Sequence, residues 1–413
     1  MRPALKPNLS ILHMIRFTFW GLAASLILTA TNLSATETES VNTTTPLSPQ
    51  DRHKASIIIA ENAQDADILR QLLQGRQLIF FGQLGGEYAH YDIPSFMDQD
   101  GFEIRNFRLG LAGLSPWFKN FSYKLEVDLA DGSSTISDAY IHYRLSDKGS
   151  LTIGNQDGSQ SLSGATGSLS LLFMEAPLPS DGFSLDKRVG ISYDRNWPKS
   201  GLHLLVFGRD LNSDANHKGA AARAFFNPHR SAQGIWHLGA NYVWQKNKGT
   251  ARLKTRPESH VTDIRLVDTG EHNDVVSDHR YGIEIAGARG AFTTRIELFL
   301  NTWKREDGSH NDFAGAYLEG GYFLTGQPFN YINGKFVRPH LDGGRAAWEL
   351  AYRVSWLDLN DGDVRGGEET NAGLALNYYP RPNLRGQFNL IHVSSDRPDS
   401  DGWLVQVRLQ FNW

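Results

Sequence analysis

The chain ends DGWLVQVRLQFNW, residues 401–413, and this stretch decides the fold. Trp403, Val405, Val407, Leu409, Phe411 and Trp413 alternate with Leu404, Gln406, Arg408, Gln410 and Asn412. A period of two over this length is the pattern of a β-strand with one apolar and one polar face. Chain termini usually fray, so a strand this regular at the last residue needs partners on both edges. A closed barrel supplies them: the last strand pairs with the first as well as with its neighbour.

Working back toward the N-terminus, the same period recurs. Strands are predicted over 77–91, 102–114, 117–129, 135–145, 150–155, 188–195, 201–209, 233–245, 250–256, 279–288, 291–303, 312–324, 345–357, 371–379, 384–393 and 402–413. That is an even number, sixteen, and many are longer than the five or six residues usual in soluble sheets. In FSYKLEVDLA, Tyr123, Leu125, Val127 and Leu129 share one face, against Lys124, Glu126 and Asp128. In AFTTRIELFLNTW, Phe292, Ile296, Leu298 and Leu300 oppose Arg295 and Glu297. Short connections take turns with long polar ones, as in outer-membrane barrels with tight periplasmic turns and long external loops. The expected fold is therefore all-β, a sixteen-stranded antiparallel transmembrane β-barrel occupying 76–413. The segment 325–344 breaks the alternation, being long where a short periplasmic turn is expected.

The N-terminal residues read differently. Arg2, Lys6 and Arg16 precede an apolar run at 17–30, followed by small residues to Ala35, the layout of a secretory signal peptide over 1–35. Residues 36–75 read as a flexible polar leader with a possible short helix at 65–74 (DADILRQLLQ). Removing those three bases takes the formal charge from −4 to −7, which argues against a nucleic-acid partner. The chain has no cysteine, so disulfides, thiolate metal sites and a cysteine nucleophile are excluded. No catalytic motif stands out. DLNDGDVRGGEE, 358–369, resembles a calcium loop only in part, because Gly362 falls where a ligand is needed. Neither an enzyme, a metal nor a cofactor is expected.

Alternation assigns Arg108, Lys124, Arg144, Arg188, Arg209, Arg295, Arg353, Arg385 and Arg408 to the lumen, with Glu126, Asp128, Asp138, Asp194, Glu284, Glu297, Glu319 and Glu349. Bases and acids nearly balance, so any anion selectivity should be weak. Lys124 lies beside Glu126 and Asp128, Arg295 beside Glu297 and Arg353 beside Glu349 in the sequence. By this criterion Arg108, Arg188, Arg385 and Arg408 are the candidates for an anion track. Phe411 and Trp413 are read as the assembly signal that the barrel assembly machinery would recognise.

Several longer stretches, FRLGLAG, FSYKLEVDLA, ISDAYIHYRL, FMEAPLP, KRVGISYDR, RLKTRPESHVTDIRLVDTG, GAYLEGGYFLTG, AAWELAYRVSWLDLNDGD and LALNYYPRPNLRGQFNLIHV, resemble the phosphate-selective porin O and P family. The resemblance runs from about Phe102 to Trp413. It implies a porin in the outer membrane of a Gram-negative bacterium, a homotrimer set in outer-membrane lipid and lipopolysaccharide, with a long loop folded inward to narrow the pore. That loop would be 155–187, carrying Asp157, Ser161, Ser163 and Ser168, and 325–344 would be a second inward-folded segment. Asp157 stands where the family often carries lysine, and 156–172 holds no base. The expected cargo is small anionic or neutral hydrophilic solutes, phosphate among them. The alternatives are a porin for sugars, uncharged or cationic solutes, or a structural or adhesive barrel.

Overall fold

The computed structural model describes residues 78–413, except 116, 119, 133, 159, 214–215 and 342–344. The signal peptide and leader expected at 1–75 lie outside the described residues. Sixteen antiparallel strands form the wall: β1 (Leu78–Asp92), β2 (Gly101–Leu114), β3 (Phe121–Asp128), β4 (Thr135–Arg144), β5 (Gly149–Asp157), β6 (Lys187–Trp197), β7 (Ser200–Phe207), β8 (Lys218–Phe226), β9 (Gly234–Lys246), β10 (Val275–Arg289), β11 (Phe292–Arg305), β12 (His310–Phe323), β13 (Ala347–Asp361), β14 (Val364–Arg381), β15 (Leu384–Ser395) and β16 (Gly402–Asn412). Each pairs with its sequence neighbours, and β16 pairs with β1 from Gln83↔Asn412 to Asp92↔Trp403.

The last residue completes the closure. Gly82 N–H donates to the Trp413 carbonyl at 3.0 Å, and Trp413 N–H donates to the Gly82 carbonyl at 3.1 Å. The Trp413 ring lies over Gly82, where an added Cβ would meet it at 2.2 Å, so only glycine fits beneath the indole. Trp403, Val407, Leu409 and Phe411 face outward, while Gln406, Arg408, Gln410 and Asn412 are buried inside. The alternation therefore separates a membrane face from a lumen face, as a spanning barrel strand requires.

The strand count agrees with expectation, but through two errors that cancel. The segment 250–256 is not a wall strand. Ala251 and Leu253 are buried in an interior cluster with Leu178, Val267, Trp303 and Leu357, so their alternation points into the barrel from a loop. In its place β8 (KGAAARAFF) crosses the membrane. Its outward positions include Ala220, Ala222 and Ala224, too small to give a strong apolar alternation. Consequently the long segment 247–274 is a single loop at the rim opposite Leu78 and Trp413, the latter marking the terminal rim. Connection 324–346 falls on the terminal rim, as counting from the first strand indicates.

Three connections fold inward. Segment 158–186 carries a short helix at Leu162–Thr166 and buries Leu169, Leu171, Leu172, Phe173 and Met174 inside the barrel. This apolar run packs against the wall of its own barrel. Loop 247–274 buries Glu258, Ser259 and Thr262, and connection 324–346 buries Phe336.

Candidate functional site: the divided lumen

Segment 158–186 divides the lumen. On one side it is seated on β10–β16 and held by Arg105 of β2; on the other it faces the remainder of β1–β8 across a cavity of about 720 Å³.

The seated side is a continuous ion-pair and hydrogen-bond lattice. Glu297 accepts from the backbone N–H groups of Leu162 (2.7 Å) and Ser163 (2.9 Å) and from the Tyr317 hydroxyl (2.6 Å). It thereby holds the first turn of the loop helix, which Ser161 caps by accepting from Gly164 N–H at 3.0 Å. Arg385 donates to the carbonyls of Leu169 (3.2 Å) and Leu171 (2.7 Å). Arg353 bonds Glu319 at 2.7 Å, Glu258 at 3.1 Å and the Glu175 carbonyl at 2.9 Å. Arg408 bonds Glu87, Glu175 and the Met174 carbonyl. Arg295, Arg353 and Arg385 also lie over the rings of Phe336, Phe173 and Tyr379, at 4.2, 4.4 and 5.1 Å. Their planar guanidiniums can stack and donate in plane at once, which lysine cannot do.

Several sequence expectations are corrected here. Arg385 and Arg408 are 0% and 2% exposed, so they tie the loop to the wall and form no open anion track. Arg295 pairs with Glu319 at 3.3 Å, not with Glu297, whose carboxylate is turned to the loop. Arg353 likewise pairs with Glu319 and Glu258, while Glu349 accepts from Asn377 and Tyr379 at 2.9 Å each. Arg188 donates to the Lys187 carbonyl at 3.0 Å, and Asp194 bonds His203 at 2.6 Å. Arg209 lies beyond the end of β7 and is exposed.

Other residues central to the lattice were not singled out from the sequence. A bulge between Gly85 and Gly86 leaves Arg105 unpaired in β2 and turns it inward, where it grips both oxygens of Glu175 at 2.9 and 3.1 Å. The Gly-Gly pair was the available signal. Glu175 and Glu258 come from loops, where alternation says nothing. Burial alone would raise the Glu175 pKa, but the Arg105 and Arg408 guanidiniums outweigh it and hold the carboxyl well below the usual range. Burial pushes Glu258 up against the opposing pull of Arg353, and it pushes Asp181 up as well.

Across the cavity the wall is charged too, with Lys124, Glu126 and Asp138 buried in it and Arg108 and Lys187 partly exposed. Arg108 bonds Asp128 at 2.7 Å, and Lys124 bonds Asp138 at 2.6 Å and Glu126 at 3.1 Å. Lys187 meets Asp138 at 2.8 Å and Asp157 at 3.9 Å. Side chains of Arg108 and Lys187 are 28% and 33% exposed, in contrast to those of β15 and β16. Ser168 and Asp157 line the cavity, whereas Ser163 is buried behind it. From the terminal rim, Lys335 reaches the cavity edge, and Arg338 ties its connection to Gln410 and Asn412 at 2.9 and 2.8 Å.

Comparison with known proteins agrees with this architecture. The family described as phosphate-selective porin O and P matches residues 81–413. An uncharacterized protein of Caulobacter vibrioides is 32% identical over 311 residues, 70% of this chain and 62% of that protein, so the chain spans under two thirds of that relative's length. Porin O of Pseudomonas aeruginosa is 22% identical over 388 residues, 80% of this chain and 87% of the relative. Among solved structures, a loop-deletion mutant of OmpT, an outer membrane protein of Vibrio cholerae, superposes with TM-score 0.55 at 13% identity. It covers 81% of this chain and 99% of its own. OprB of Pseudomonas putida gives 0.51 at 10% identity, covering 85% and 97%. With a closed sixteen-strand wall, an inward loop and a family match across the whole barrel, this chain belongs to the phosphate-selective porin O and P family, whose barrels lie in the outer membrane of Gram-negative bacteria.

Proposed function

We propose that the protein is a passive outer-membrane channel for small hydrophilic solutes with weak anion preference, working as a homotrimer. One observation carries this reading: the cavity beside segment 158–186 is lined by both signs of charge in near balance. Seven bases (Arg108, Lys124, Arg144, Lys148, Lys187, Arg223 and Lys335) face six acids (Glu126, Asp138, Asp147, Asp157, Asp186 and Asp194). Charges a few ångströms apart cancel at longer range, and physiological salt screens beyond about 8 Å, so a permeating ion meets a mild net field. A one-signed ladder would instead bind and select strongly. The trimer is supported by the trimer form of OmpT from Vibrio cholerae, which superposes with TM-score 0.54 at 12% identity. Short connections on the terminal rim support a periplasmic position for that rim, with 158–186 and 247–274 entering from outside.

The test is a planar bilayer with a salt gradient. The expected result is open-channel steps and a zero-current potential slightly on the anion side. A silent bilayer contradicts the channel. A cation preference, or chloride current blocked by micromolar phosphate, contradicts the weak anion preference from opposite directions.

A further inference from the structure

The outward face at the rim opposite Trp413 carries a row of lysines at one level. Lys218 of β8 is directly opposite Lys246 of β9, Lys246 is opposite Ser277 of β10, and Ser277 is opposite Lys304 of β11. All three lysines alternate outward with the membrane-facing side chains of their strands and are exposed. None has an ion-pair partner among the described residues. Adjacent strands lie about 4.8 Å apart, which puts Lys218 and Lys246 side by side and Lys304 about 10 Å from Lys246. Like charges directly opposite on neighbouring strands repel, so the row is unfavourable unless an anion sits against it.

The residues beneath fix its depth. Two positions down β9 from Lys246 stands Trp244, followed by Tyr242, with Tyr281 of β10 beside it, all exposed on the outer face. Tyr242 and His279 bond at 2.9 Å, and Tyr242 and Tyr281 contact with ring centroids 5.1 Å apart. Aromatics of this kind mark the boundary between acyl chains and headgroups. The amines therefore project at headgroup height. His310 of β12 closes the row and is answered by Asp312 at 3.8 Å, which also accepts from Thr302. Glu306 and Asp307 follow in the turn beyond Lys304. The lysines, not the histidine, carry the net charge.

We infer that Lys218, Lys246 and Lys304 form a binding site for the phosphate groups of an outer-leaflet lipid, with its acyl chains against the Trp244–Tyr242 surface. This rests on the orientation given under the proposed function. Lysine amines bind phosphate as point charges, and three on one level suit a headgroup carrying more than one phosphate.

The test uses the folded protein in detergent, titrated with bis-phosphorylated lipid A, dephosphorylated lipid A and inorganic phosphate, with lipid adducts counted by native mass spectrometry. The triple variant Lys218→Gln, Lys246→Gln, Lys304→Gln should bind bis-phosphorylated lipid A about tenfold or more weakly, a loss of one power of ten in Kd. The triple arginine variant should keep binding, and dephosphorylated lipid A should bind wild type and variant alike. Equal binding of bis-phosphorylated lipid A by wild type and glutamine variant overturns the inference. Competition by inorganic phosphate at the lipid's own concentration overturns the lipid as ligand. Bilayer conductance of the glutamine variant should match wild type, which separates this site from the channel.

Discussion

Arg385 and Lys187 are both inward-facing cations, although the alternation of β6 assigns Arg188 rather than Lys187 to the lumen. Arg385 is fully buried between Tyr379 and two carbonyls of the constriction segment, whereas Lys187 stands a third exposed between Asp138 and Asp157 at the cavity. The difference is made by the segment lying between them. Where 158–186 is seated, Arg353, Arg385 and Arg408 are buried and bonded to the loop or to acids. Where it faces across the cavity, Arg108 and Lys187 remain partly exposed. A porin wall thus holds two kinds of charge, one that builds the constriction and one that the constriction exposes. Counting inward bases does not separate them.

The seam between the halves is β1 with β16, and breaking it should have the largest effect. Deleting 411–413 removes the Gly82–Trp413 hydrogen bonds and the stacked Phe411–Trp413 pair. The truncated chain is expected to stay periplasmic and protease-sensitive, as read by fractionation and heat-modified mobility. A heat-resistant folded oligomer from that truncation would contradict it.

Next in size is the seated half. Replacing Arg408 with Gln leaves buried Glu87 and partly buried Glu175 with one guanidinium fewer. Breaking a buried pair in this way costs about 3–5 kcal/mol, so the unfolding midpoint in detergent should fall clearly. Release of the loop should also raise single-channel conductance. An unchanged midpoint would mean the lattice contributes little.

Selectivity sharpens the contrast. Lys187→Gln should move the zero-current potential toward cations by a modest amount, while Arg385→Gln should lower stability and leave that potential nearly unchanged. The reverse pattern would put the conducting path on the wrong side of the segment.

The smallest effect concerns pH. Glu258 titrates above its ordinary 4.5 in the folded protein, chiefly through burial. The folded state therefore holds the proton more tightly than the unfolded chain, and stability is lost as pH rises through the folded value. Lowering pH from neutral toward 4.5 should stabilise wild type relative to Glu258→Gln in a melting series. A gap between them that is independent of pH would contradict this.

Much of the fold was legible in the sequence because lipid and lumen impose a period of two that few other environments demand. The 401–413 strand, its closing role and the inward loop all follow from that period together with the family resemblance. What escaped has physical reasons. Alanines on the outside of β8 weaken its contrast, while Ala251 and Leu253 imitate a wall strand because they pack inside the barrel. The Gly85–Gly86 bulge changes which β2 residues face inward and hides Arg105. Ion-pair partners such as Glu175 and Glu258 arrive from loops, so the pairing of Arg353 and Arg408 could not be read from their own strands.

The divided lumen is tested most directly by charged thiol reagents, since the natural chain has no cysteine to interfere. Single cysteines would be placed at Lys187 and Ser168 on the cavity side, and at Gln387 and Asn389 on the seated side. A charged methanethiosulfonate would then be added to one open channel. The account predicts stepwise current changes at Lys187→Cys and Ser168→Cys, and no reaction at Gln387→Cys or Asn389→Cys. Current steps of similar size and rate at the seated positions would contradict it.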